Sequence, residues 1–115
     1  MQIVRDQKIS IQELTKMTQK MYGNLIKAVV DIEQGIMAVD AEMHADLEEF
    51  LLENESQQEN LWGINLHPDK ASDDNWIEFD SLINIRPSQG NRSRYVDNPK
   101  IRERIIAIVT QLVKK

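Results

Sequence analysis

The segment DAEMHADLEEFLL, residues 40–52, satisfies two periodicities at once. Read as a helix, it puts Met43, Leu47, Phe50 and Leu51 at i, i+4, i+7 and i+8. Its Ala, Glu, Met and Leu are good helix formers that strands disfavour. Read as a strand, it sends Ala41, Met43, Ala45 and Leu47 to one face and Glu42, His44, Asp46 and Glu48 to the other. The two readings give His44 different company. A strand lines it up with Glu42 and Asp46, each about 7 Å away; a helix makes Asp40 and Glu48 its neighbours.

The flanks read more simply. Ile26, Ala28, Val30 and Ile32 alternate with Lys27, Val29, Asp31 and Glu33, the period-two pattern of a strand buried on one side. Gln34-Gly35 reads as a turn, and Ile36 to Val39 as the next strand. Beyond the ambiguous segment, Trp62, Ile64 and Leu66 alternate with Gly63, Asn65 and His67, and Pro68 with the polar run Asp69 to Asn75 turns the chain. Ile77, Phe79, Ile83 and Ile85 then alternate with Glu78, Asp80, Asn84 and Arg86. The register slips at Ser81-Leu82, and Pro87 ends the strand.

Amphipathic helices stand at both ends. Ser10 and Glu13 have capping-box spacing, Ile9 and Leu14 fit a hydrophobic staple, and Leu14, Met17, Met21 and Leu25 follow at helical intervals. The spacing predicts a helix over about 11–22, stopped by Gly23-Asn24. Asn98-Pro99 reads as a cap and first helical residue. Ile101, Ile105, Ile108, Val109 and Leu112 make one stripe, and Lys114 and Lys115 suit the negative end of the helix dipole.

Composition narrows the class. At 115 residues the expectation is one domain, 1–115. There is no cysteine, which excludes disulfide scaffolds, thiolate metal sites and Cys nucleophiles. The net charge of -5 argues against a generic nucleic-acid partner. The longest apolar run, residues 105–109, is far short of a membrane span, and MQIVRDQK lacks the apolar stretch of a signal peptide. The expectation is a cytoplasmic protein with neither membrane nor nucleic acid as partner.

The series VVDIEQGIMA (29–38), EMHADLE (42–48), LLENESQQENLWG (51–63), EFDSLINIRPSQGNRS (78–93) and NPKIRERI (98–105) resembles a small bacterial family, domain of unknown function 5674. The likeness spans residues 25–113, and LINIRP followed by GNRS is its most distinctive part. Relatives carry a glycine-rich run where this chain has Val39-Asp40-Ala41, and an Asp-Gly-Ser turn where it has Asn54-Glu55-Ser56. A tight turn there implies a hairpin between 50–53 and 59–62, which tips residues 40–52 toward strand. The resemblance brings no activity with it.

Two constellations could carry chemistry. On a strand, Glu42, His44 and Asp46 share a face with Asp31, Glu33, Asn65, His67, Asp80, Asn84 and Arg86, and crowded carboxylates there would attract a cation or make an acid–base pair. A solvated polar face of an antiparallel sheet gives the same alternation. The second constellation is the loop after the last strand. Arg86, Arg92 and Arg94 lie close together with Asn84, Ser88, Gln89, Asn91 and Ser93, around Pro87 and Gly90. Guanidinium groups, amides and hydroxyls converging on a loop suit a phosphate or carboxylate, or the protein's own carboxylates. Trp62 reads as a core residue with its N–H bonded to a neighbour, and Trp76 as core or interface.

The expected fold is therefore a two-layer α+β domain: an antiparallel sheet of four to five strands with N- and C-terminal amphipathic helices on one face. The other face would be solvated, or, if it carried Val29, Phe50 and Leu82, would pair two copies as a homodimer. The expected function is non-catalytic binding of a small anionic ligand or partner through Asn84, Arg86, Asn91, Arg92 and Ser93, with no resident cofactor. The alternative is a small hydrolase or lyase for a phosphate- or carboxylate-bearing metabolite. In that reading His44, with Asp46 or Glu42, moves protons or holds a divalent cation.

Overall fold

The alternation over 26–31 and 61–66 sets the centre of the sheet. In a computed structural model of the chain, which describes residues 1–21 and 23–115, β3 (Ile26–Asp31) pairs antiparallel with β4 (Ile36–Val39) and with β5 (Leu61–Leu66). β1 (Gln2–Val4) pairs with β4 and β6 (Ile77–Glu78) with β5, giving five antiparallel strands in the order β1-β4-β3-β5-β6. Ala28 lies opposite Val39 and Ile64, and Val30 opposite Met37 and Trp62. These residues make one face, as the alternation required. The fold is α+β, with an antiparallel sheet and helices near both ends.

That face packs on the terminal helices, α1 (Ile11–Lys20) and α3 (Pro99–Leu112). Leu14 and Met17 from α1 and Ile105, Ile108, Val109 and Leu112 from α3 join its core. Both N-caps follow the sequence. The Ser10 hydroxyl accepts from Glu13 N at 3.1 Å and lies 3.2 Å from the Glu13 carboxylate, and Asn98 accepts from Lys100 N at 2.9 Å. α1 ends at Lys20; of its expected stretch, residue 22 lies outside the described residues. A small second sheet joins the helix ends. β2 (Ile9–Ser10), just before α1, runs parallel to β7 (Val113–Lys114), just after α3.

Residues 40–52 correct the strand reading. His44–Glu53 is a helix, α2, so no hairpin joins 50–53 to 59–62. Its Leu47 and Leu51 pack on Val29, Ile36, Ala38 and Leu61, the second face of the sheet. That face is apolar along its middle and needs a cover. A helix with leucines at i and i+4 provides one, whereas a further strand would leave the face wet. The break falls at Asp40, whose φ of 75° is tolerated by a short polar side chain. The layer expected to be open thus carries α2, and Val29, a candidate for pairing two copies, lies beneath it.

The strand expected over 77–85 is also shorter. β6 stops at Glu78, and Leu82–Asn84 forms a 3-10 turn in which the Ser81 hydroxyl accepts from Ile83 N at 3.3 Å. The slip at Ser81-Leu82 marks this turn. The expected turn after β3 is present: buried Asp31 accepts from Glu33 N, Gln34 N and the Ser56 hydroxyl, and Gly35 takes φ 70°. Among the described residues no helix is long and apolar enough to cross a membrane.

Candidate functional site

Once β6 ends, the outer edge of β5 would expose unpaired backbone groups. Side chains from 84–86 take the place of the missing strand. Asn84 accepts from Gly63 N at 2.8 Å and donates to the Gly63 carbonyl at 3.0 Å, so one side-chain amide pairs as a peptide group would. Arg86 donates to the carbonyls of Leu61, Gln58 (2.5 Å) and Ile83 (3.2 Å) and to the Gln89 side chain (3.2 Å). Its guanidinium lies 4.2 Å from the centre of the Trp62 ring. Trp62 is buried as expected, but its N–H has no hydrogen-bond partner among the described residues; its ring face carries the Arg86 guanidinium instead. Trp76 is buried in the core under the terminal helices.

Asn91 does similar work inside the loop. It is buried, donates to the carbonyls of Asn84, Ser93 and Tyr95, and accepts from Asp97 N at 2.8 Å. Three of the five residues expected to bind an anion, Asn84, Arg86 and Asn91, therefore have their polar groups engaged by main chain. Ser93 is exposed and bonds Asp97 at 3.0 Å, and Arg92 is exposed. These residues share one loop. Arg86 is held at the sheet edge; the carboxylate that faces it is Glu48, whose own pKa burial raises against the pull of Arg86.

His44 sits elsewhere, in the first turn of α2. It opens into a pocket of about 230 Å³ lined by Lys27, Glu42, Met43, Ala45, Ser81, Leu82, Ile83 and Arg94. Asp46 faces a different hollow, with Glu49 and Glu53. The helix therefore separates Asp46 from His44 and dissolves the expected triad with Glu42. Among the described residues no group of three or more His, Cys, Asp or Glu could hold a metal ion.

The state of His44 follows from its contacts. Nε2 lies 2.7 Å from the Ile64 carbonyl, which can only accept, so Nε2 carries the proton and Nδ1 a lone pair. Burial lowers its pKa from 6.5 to about 4; Lys27 and Arg94 push the same way, against the Ile64 bond and Asp80. At neutral pH it is an uncharged acceptor. Beside it, the Ser81 hydroxyl accepts from Ile83 N and caps the 3-10 turn.

A pH dependence follows. Between pH 6.5 and 4 the unfolded chain holds a proton on His44 that the folded chain lacks, so stability falls as pH falls through that window. The shift corresponds to about 3 kcal/mol at full effect. Denaturant unfolding from pH 7 to 4 should show wild type losing that much more than His44→Gln; parallel curves would refute it.

Positions that the sequence did not mark as site residues complete the pocket: Lys27, Ser81, Leu82 and, beneath them, Gly63. A Cβ on Gly63 would lie 2.6 Å from Ser81 Cβ and Oγ and 3.2 Å from His44 Cδ2. A glycine inside a strand pattern signals close approach, so this signal was present. Arg94 donates to Asp80 through Nε at 2.6 Å and flanks the same pocket.

A family model described as protein of unknown function (DUF5674) matches residues 2–112. No curated protein and no solved structure matches the chain.

Proposed function

The chain belongs to the DUF5674 family, of unknown function, and from that premise we propose that it is a non-catalytic binding domain taking a small anionic ligand in the His44 pocket. The observation that carries this reading is the convergence of Lys27 from β3, His44 from α2, Ser81 and Arg94 on one hollow. Two cations and a hydroxyl suit an anion. Asp80 engages only the Nε edge of Arg94, leaving the two terminal nitrogens for a ligand oxygen. Catalysis is the weaker reading, because His44 has one nitrogen committed to Ile64 and, among the described residues, no acid or nucleophile bonded to the other.

Thermal denaturation with inorganic phosphate and a panel of small carboxylates tests it. An anion at a hundred times its Kd should stabilise by about 2.7 kcal/mol. Arg94→Gln should abolish the gain and Arg92→Gln should keep it. Loss with Arg92→Gln alone would return the site to the 86–94 loop, and no gain from any anion would overturn the reading.

A further inference from the structure

Resting on that binding reading, we infer that the ligand is an amphiphilic monocarboxylate of roughly six to nine heavy atoms, with a hydroxyl or amine beside the carboxylate. The pocket has two unlike walls. Lys27 and Arg94 offer positive charge, and the terminal nitrogens of Arg94 form the fork that a carboxylate accepts. Met43, Ala45, Leu82 and Ile83 supply apolar surface. Leu82 is 66% exposed and Met43 57%, the two most exposed large apolar side chains among the described residues apart from Met1. Both stand at this one mouth, where an apolar tail would cover them and a bare phosphate would leave them wet.

Charge and size narrow the class further. Glu42 lies on the rim and Asp80 behind Arg94, so a second negative charge on the ligand would meet carboxylates. A volume of about 230 Å³ is below the range of roughly 300–1,000 Å³ usual for drug-sized ligands. His44 adds the last requirement. With Nε2–H donated to Ile64, the imidazole can offer the ligand only a lone pair, and no described residue donates to Nδ1. A hydroxyl or amine next to the carboxylate would fill that acceptor.

The test follows amide shifts of residues 27, 44, 82 and 94 in the isotope-labelled full chain during titration with acetate, butanoate, hexanoate, 2-hydroxyhexanoate and inorganic phosphate. Kd should fall about fourfold for each methylene buried. 2-Hydroxyhexanoate should bind about three- to tenfold tighter than hexanoate. Leu82→Ser, a change at an exposed position, should flatten the chain-length series. A flat series in wild type, no preference for the hydroxy acid, or phosphate binding tighter than hexanoate would each overturn the ligand class while leaving anion binding intact. Silence from every anion would remove both.

Discussion

Gly63→Ala is expected to lower stability by about 3 kcal/mol, near the top of the usual range for an overpacked core. The strand reaches its neighbour too closely for a side chain. The added Cβ would stand 2.6 Å from two atoms of Ser81, and Ser81 is buried with its hydroxyl accepting from Ile83 N. Ser81 cannot swing away without releasing that turn, and Gly63 cannot retreat while both its peptide groups pair with Asn84. In a chain of this size the loss corresponds to a Tm lower by about 12 °C. The double variant Gly63→Ala/Ser81→Gly should recover part of it, because the second change vacates the space the methyl needs. Additive losses in the double-mutant cycle would show that the two positions do not meet.

Arg86→Lys is expected to cost about 3 kcal/mol or more, although it keeps the charge. The guanidinium serves carbonyls from three separate segments, at Gln58, Leu61 and Ile83, and stacks on Trp62. One ammonium has neither the reach nor the flat face to replace it, so buried carbonyls would be left without donors. Arg92→Lys, at an exposed position, should stay within about 0.5 kcal/mol. Chemical denaturation of the two variants side by side decides the matter. Equal, small losses would mean that Arg86 is not a structural residue. An anion-binding arginine would behave oppositely, with stability kept and ligand affinity lost.

The contrast turns on what the polar residues of the 84–93 stretch face. Asn, Arg and Ser gathered around Pro87 and Gly90 look alike whether they face a ligand or the chain's own carbonyls. Which they face depends on where β6 stops. It stops at Glu78, so the edge of β5 from Leu61 to Gly63 lacks a strand, and Asn84 and Arg86 fill the gap. A period-two pattern running to Ile85 could not reveal this, since it sends the apolar residues inward, whereas here Asn84 and Arg86 are buried and Ile85 is exposed. The slip at Ser81-Leu82 was its one visible trace.

Much of the fold was local enough to be written in the chain. Ser10 and Asn98 cap their helices with side chains two or three residues from the backbone they satisfy, and the alternation in β3 and β5 assigns each residue its face without knowledge of any partner. Residues 40–52 were different, because their apolar positions suit both periods. What selected the helix was an apolar sheet face, Val29, Ile36, Ala38 and Leu61, completed only when β5 joins the β3–β4 hairpin from across the sequence. The same choice moved His44 to the start of a helix, beside Lys27, Ser81 and Arg94. Short-range hydrogen bonding and side-chain alternation are properties of neighbours along the chain; burial of a shared surface, and the pocket it leaves, exist only after distant segments meet.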